Sequence, residues 1–425
     1  MTFAPYLRLL RRNPDFARLY SAQLVSFAGD WFATVALLGL VLELSGSTAI
    51  ASLVLVLQTG GFALASPLAG FLADRLDRRR LLIAADLARV PVALAFLLAR
   101  EPDTVWIALA AVLLLSVGAA VFEPTSSAAL PNLVDAEDLR EANVLIGSAW
   151  GTMLAIGAAL GGIVAATLGR DAAFVVNGAS FAVSAALILG IRRSLQERGG
   201  LGAGEEHEEH MRTGFTDAIR SALTFARRSR LVASYLLSKT TFGLGTGVVL
   251  MLAVFGRDVF NGGDAGIGLL FAARGLGALI GPFGARALVG MDDRGLLRGI
   301  GASFAVVVVC YGLFPLSPTI WIAALLTFGA HLGGGSQWTL STYGLQRATP
   351  DAVRGRIFSF DYGLVTLTIA LSTLLAGFVA ELLEPQLAVW TMVSLIAVGG
   401  TAWVLFSRAA VETAPLRGAG AEMEE

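Results

Sequence analysis

The chain has 425 residues, 56% of them hydrophobic and only 15% charged, with a mean hydropathy of +0.72 and a formal net charge of −1. A soluble domain carries about 25% charged residues, so the surplus apolar surface needs lipid as its solvent. The near-neutral balance gives no field that would draw nucleic acid, and the lone Cys310 excludes an intramolecular disulfide.

A membrane helix needs about 20 mostly apolar residues. Twelve segments meet that need: Leu19–Leu42, Ile50–Leu72, Leu81–Leu98, Val105–Phe122, Ala142–Leu168, Ala172–Ile191, Leu231–Val254, Ile267–Val289, Gly299–Leu316, Ile320–Tyr343, Phe358–Leu382 and Ala388–Phe406. Unpaired backbone groups are too costly in hydrocarbon for any spanning structure but a helix or a closed barrel, and the short alternating segments of a barrel are not seen. The expected fold class is an all-α polytopic membrane protein. The first apolar run is too long for a signal peptide and is expected to stay as a helix.

Taken in chain order, the first ionisable group at membrane depth is Asp30. It lies twelve residues beyond Arg18, about 18 Å along a helix that rises about 1.5 Å per residue, and so near the midplane. Charge at that depth is costly and needs a reason. Asp30 is the leading candidate for a proton carrier or an anchor for a cationic substrate, with a hydrogen-bonded structural aspartate as the alternative. Gln58 follows in span two. The next loop, from Gly70 to Leu82, sets Asp74 and Asp77 among Arg75, Arg78, Arg79 and Arg80. In span three, Asp86 and Arg89 share one helical face and are expected to neutralise each other. Glu123, beside Pro124, reads as a gate residue or a solvated helix end. Gly147, Gly151, Gly157 and Gly161 of span five include i, i+4 pairs that let helices approach closely. Asn177 is a further cavity candidate.

One long hydrophilic stretch, Arg192 to Arg230, divides the spans six and six. Its acidic run, Glu205 to His210, reads as a solvated linker without metal-site spacing. Phe215, Ala218, Ile219, Ala222 and Phe225 then recur at helical intervals, which predicts an amphipathic helix on the membrane surface. The implied organisation is an N-terminal bundle (1–192), a linker (193–230), a C-terminal bundle (231–408) and a tail (409–425). Beyond the linker, Lys239 is placed to snorkel toward the nearer surface. Arg274, deep in span eight, calls for a carboxylate partner. His331, beside three glycines, reads as cavity-facing or structural, with Gln337 and Trp338 on the same span. Asp361 is expected to meet Arg356 or a neighbouring loop.

Basic residues set the orientation. If the N-terminus is cytoplasmic, 25 of the 31 basic residues lie on that side. Only Arg100, Arg170 and Arg257 lie opposite, while Arg89, Lys239 and Arg274 fall within spans. This bias places both termini inside. The polar connectors Val134–Asn143 and Thr349–Phe358 sit about 215 residues apart, each entering a long glycine-bearing helix. That spacing suggests two parallel six-helix repeats, a plan that puts the substrate site between them.

The loop Gly70-Phe71-Leu72-Ala73-Asp74-Arg75-Leu76-Asp77-Arg78-Arg79-Arg80 resembles the signature loop of the major facilitator superfamily, with Asp77 in place of the usual second glycine. Gly157-Ala158-Ala159-Leu160-Gly161-Gly162 is similar to that superfamily's antiporter signature, with Ala158 where proline is usual. Phe122-Glu123-Pro124, Leu130-Pro131 and Arg354-Gly355-Arg356 resemble the branch holding macrolide-efflux proteins and the enterobactin exporter. The resemblance implies that Asp74 docks at the start of span eleven in one state, so an Asp74–Arg356 or Asp77–Arg356 contact is expected in that state only. Span four lacks the arginine of the better-known drug antiporters, which breaks any direct transfer of their coupling scheme.

The expectation is a non-enzymatic, monomeric secondary transporter of the cytoplasmic membrane. It would export an amphiphilic or drug-like molecule against inward proton flow, in contact with membrane lipids and without a cofactor or metal. A lipid translocator or importer of the same fold, or a non-transporting sensor, is the rival. Cavity candidates are Asp30, Gln58, Asn177, His331, Gln337 and Trp338.

Overall fold

The computed structural model describes residues 4–135, 137–196, 224, 228–290 and 292–413. A short helix, Ala4–Arg12, precedes twelve helical passes. These are α1 (Pro14–Ser45), α2 (Thr48–Arg75), α3 (Arg78–Leu94), α4 (Val105–Ala129), α5 (Leu139–Leu168), α6 (Arg170–Leu189), α7, α8 (Gly263–Leu288), α9 (Asp293–Leu313), α10 (Ile320–Ala348), α11 (Asp351–Leu382) and α12 (Pro385–Thr413). The α7 pass is broken into Arg230–Gly243 and Val248–Val254, and ends in a π turn at Phe255–Val259. Eleven of these passes are long and apolar enough to cross a membrane. The remaining one, α10, has 29 residues, and its run of small and polar residues from Gly333 to Ser341 faces protein rather than lipid for much of its length. The amphipathic segment Phe215–Phe225 and the acidic run lie outside the described residues, apart from Thr224.

Local chemistry sets the helix ends. Asn13 and Pro14 open α1, and Gly46 closes it in the left-handed region, φ 61°, where a side chain would be strained. Ser47 then caps α2 by accepting from the Ile50 N–H. Asp77 does the same for α3, accepting from the Arg80 N–H at 2.8 Å. Extended backbone with an acidic cap therefore stands where the superfamily loop has glycine.

Helices α1–α6 pack among themselves, as do α7–α12, and the two bundles meet chiefly along α5 against α8 and α2 against α11. The face bearing the starts of α1, α3, α5, α7, α9 and α11 is the arginine-rich one, called here the basic face. One hydrophobic cluster runs through the C-terminal bundle and into the opposite-face half of the N-terminal bundle, from Phe255, Phe271 and Phe314 to Leu37 and Phe174. A second, separate cluster around Phe16, Leu82, Phe122 and Ile188 fills the basic-face half of the N-terminal bundle alone. The hydrophobic core is thus shared between bundles at one end and divided at the other.

Candidate functional site

The divergence of the bundles can be followed along one stripe of α5. A Cβ on Gly162 would stand 2.8 Å from the Asp264 carbonyl and the Gly268 Cα. A Cβ on Gly268 would stand 2.6 Å from the Ala158 carbonyl, and one on Gly275 would stand 2.5 Å from the Ala155 nitrogen. At Gly151 the nearest atom of Leu279 is 3.6 Å away, and at Gly147 nothing lies within 4 Å. The second seam behaves alike. On Gly377 of α11 a Cβ would be 2.7 Å from Ser52 of α2, whereas Gly60 and Gly70 of α2 and Gly355 and Gly363 of α11 face open space. A cleft between the bundles is therefore shut at the opposite face and open at the basic face.

Polar contacts reinforce the shut end. Arg170 of α6 donates to Asp264 of α8 at 2.8 and 3.2 Å and pairs with Glu43 of α1 at 2.8 Å. Arg257 of α7 reaches the same Glu43 at 3.5 Å. Glu381 of α11 accepts from the Thr48 and Ala49 N–H groups at the start of α2, at 2.7 and 3.3 Å. The three basic residues that depart from the arginine bias are all paired, since Arg100 also holds Asp171 through two hydrogen bonds.

On the N-terminal side of the cleft, Arg89 of α3 is the centre of an acidic cluster. It forms a buried ion pair with Asp86, lies 3.8 Å from Asp30 of α1, and donates to Ser26 at 3.3 Å. Its guanidinium sits 4.1 Å over the Phe181 ring and 5.3 Å from that of Phe122. Gly118 of α4 leaves room for its stem. Glu123 of α4 lies within electrostatic reach of both Asp30 and Arg89, and Tyr362, across the cleft on α11, is within reach of Glu123. Because α4 continues to Ala129, Glu123 is more than a turn inside the helix, not at its end. The carboxyl groups differ in access: Asp86 is fully buried, while the Asp30 side chain is 25% exposed. With every group ionised, one guanidinium would face three carboxylates. Such an imbalance in low dielectric is relieved by protons or by a cation from the cleft.

The C-terminal bundle holds its charge differently. Lys239 does not snorkel: it is buried and paired with Asp361 of α11 at 2.5 Å, and Asp361 takes this lysine where Arg356 or a neighbouring loop was expected from sequence. Helix packing brings together two charges 122 positions apart, a pairing that leaves no local spacing to read. The Trp338 ring, 38% exposed, lies 5.1 Å from the Lys239 ammonium. Arg274 has no carboxylate partner among the described residues. Its neighbours are the rings of Trp31, Trp150 and Phe271 at 5.7–5.8 Å.

Other candidates fall elsewhere. Asn177 is fully buried inside the N-terminal bundle beside Gly29 and does not line the cleft. Gln337 is buried too, donating to Ser238 of α7 at 3.3 Å. His331 is buried, its Nε2 sharing a 2.8 Å hydrogen bond with the Tyr311 hydroxyl. Gln58 donates to Thr34, whose hydroxyl in turn donates to the Asp30 carbonyl. The glycines of the antiporter-like motif divide their work: Gly157 and Gly161 seat α1 at Ala28 and Phe32, and Gly162 seats α8. In the signature loop, Arg78 donates to the carbonyls of Ala73, Ala128 and Leu195, and Arg79 to that of Leu189. Arg75 lies over Phe71. These arginines tie helix ends together rather than only facing the membrane surface. Arg354 and Arg356 lie within the first turns of α11, not ahead of it, and Arg354 donates to Thr349. The Asp74 side chain lies outside the described residues.

Sequence reading missed the break in α7. Between Gly243 and Gly247 the helix opens, and Ser372 of α11 fills the gap, donating to the Leu244 carbonyl at 2.6 Å and accepting from the Gly247 N–H at 2.9 Å. Backbone opened at membrane depth must find such partners. The alternating Gly243, Gly245 and Gly247 were the available signal.

Two six-helix bundles around a one-sided cleft with ionisable walls define a membrane transporter of the major facilitator type, not an enzyme. Residues 2–419 match the family described as "Transmembrane secretion effector", and the chain belongs to that family of the major facilitator superfamily. It is 27% identical over 378 residues to a protein of Bacillus amyloliquefaciens named as a candidate bacilysin exporter, BacE, covering 86% of this chain and 89% of that one. An uncharacterised transporter of the same superfamily in Bacillus subtilis (strain 168), YfiS, is 23% identical over 233 residues, covering 54% of this chain and 53% of that one. Among solved structures, a bacterial homologue of the lysosomal transporter Spinster, inward-facing and unoccupied, superposes with a TM-score of 0.70 at 15% identity. That match covers 94% of this chain and 98% of the other. A POT-family transporter bound to 5-aminolevulinic acid gives 0.74 at 10%, over 93% and 96%. By these relatives the chain is exporter-like.

Proposed function

We propose that this protein exports an amphiphilic small molecule across the cytoplasmic membrane in exchange for protons, by alternating access. The arginine bias makes the basic face cytoplasmic, with both termini on that side, so the cleft opens inward. The similarity to a named exporter and the macrolide-efflux-like motifs support export as the direction.

The observation that carries the reading is the unequal access of Asp30 and Asp86 to one shared guanidinium. Asp86 is sealed and fixes Arg89, while Asp30 borders the cleft and is free to trade its proton or a cationic group for contact with Arg89. Rocking the bundles would expose Asp30 to one side at a time. Substrate and proton then compete for the same carboxylate, which is the coupling an antiporter requires.

The test is transport into proteoliposomes under an imposed pH gradient, run with a panel of amphiphilic compounds. Wild-type protein is expected to accumulate at least one compound only when the gradient is present, and Asp30→Asn to lose at least tenfold of that component. Full gradient-driven transport by Asp30→Asn would remove the proton-carrier role.

A further inference from the structure

Arg274 stands in the membrane interior with no carboxylate beside it among the described residues, and its Nε is buried without a hydrogen-bond partner. A guanidinium at that depth is costly unless something neutralises it. Its surroundings are built from both bundles: Trp31 of α1 and Trp150 of α5 on one side, Phe271 of α8 on its own helix. Behind it the hydrogen-bonded Tyr311 and His331 close the C-terminal wall. Three rings can share the charge by cation–π attraction, but they leave the planar fork of donors without the oxygen pair it is shaped for. Trp150 is 44% exposed, so the cage has an open flank. Trp31, Trp150 and Arg274 sit on the α1–α5–α8 junction, where the seam begins to widen between Gly275 and Gly151.

We infer that Arg274 and its aromatic cage form the anion subsite of the transport cleft, taking an amphiphile whose carboxylate or phosphate engages the guanidinium while its apolar body lies against Trp31 and Trp150. This inference rests on the transporter reading and narrows its substrate class. It also complements the acidic cluster around Asp30: the cleft has an anion-accepting wall on α8 and a cation- or proton-accepting wall on α1 and α4. A compound with both charges would span them. An anionic lipid headgroup offers the same chemistry as a soluble organic anion, and the experiment separates the two.

The full-length protein is reconstituted in nanodiscs of phosphatidylcholine alone or with phosphatidylglycerol, and tryptophan quenching is titrated with 1-naphthylacetate and with its uncharged amide, 1-naphthylacetamide. In phosphatidylcholine the acid is expected to bind at least tenfold more tightly than the amide. Arg274→Gln abolishes that preference, and Arg274→Lys, which keeps the charge but not the fork, retains part of it. The assay needs no pH gradient, so failure of proton coupling and failure of the anion subsite are read separately. Preference that persists in phosphatidylglycerol assigns the site to a soluble anion, and preference lost there assigns it to a lipid headgroup. Equal affinity for acid and amide in the wild type, or a preference that survives in a monodisperse Arg274→Gln protein, overturns the inference.

Discussion

The two ends of the seam between the bundles are made of the same kinds of residue and behave oppositely. Near the opposite face, Gly162, Gly268 and Gly377 let backbones approach to van der Waals contact, and the Arg170–Asp264–Glu43 network lies across the join. Near the basic face, Gly147, Gly363 and Gly70 meet nothing. Small residues at helical spacing are therefore not evidence of contact but of the capacity for it. In a protein that alternates, the open end must keep a surface that can close. Alternating access predicts that the glycines facing empty space form the matching half of the seam in another state.

The sharpest way to break this comparison is to place one large side chain at each end. Gly162→Leu or Gly268→Leu would drive a side chain into backbone atoms. Overpacking of that kind costs about 1–3 kcal/mol or more, so a clearly lowered melting temperature in detergent is expected. Gly147→Leu should melt like the wild type, because space is free there, yet lose transport, because the seam could no longer shut on that side. If Gly147→Leu transports normally, the basic-face glycines are not the other half of the seam.

A smaller effect is expected from the network at the shut end. Asp264→Asn leaves Arg170 and its hydrogen bonds partly in place but removes the negative charge that joins α8 to α6. Loss of one partner of a well-placed, largely buried pair costs about 1–3 kcal/mol after discounting for the exposed Glu43. The expected outcome is a shift toward the state open at the opposite face, seen as faster labelling of a cysteine introduced at Ser52 in a Cys310→Ser background. An unchanged labelling rate would mean that glycine packing alone holds that end.

The least effect belongs to Glu381→Gln. Its carboxylate acts as a helix cap supplied from another helix, accepting from the first N–H groups of α2. Caps of this sort contribute about 0.5–2 kcal/mol, and exposure puts this one at the low end. The same labelling assay should move in the same direction as for Asp264→Asn, but less. A larger response from Glu381→Gln would reverse the order of the two seams.

Within the site, what could be read in advance depended on distance along the chain. The Asp86–Arg89 pair was legible because three positions on a helix place side chains together. Asp30 was legible as an intramembrane acid, but its approach to Arg89 was not, since 59 positions separate them and α1 and α3 are brought together by packing on α6. Lys239 and Asp361 were each noticed, but Lys239 was expected to snorkel to the surface and Asp361 to meet Arg356 or a neighbouring loop. Asn177 and Gln337 were polar groups at depth, and only packing showed that they face other helices of their own bundle and not the cleft.

The sequence by itself determined that this chain lives in a membrane and which face carries the arginines. Those are local or summed properties: apolar run length, charge per loop, spacing of turns. The tertiary structure alone decided which charges neutralise each other, which arginine is left facing aromatic rings, and at which end the bundles part. These depend on how helices distant in sequence rotate against one another. In a low-dielectric interior that rotation decides whether a charged group is a buried strut or a binding site.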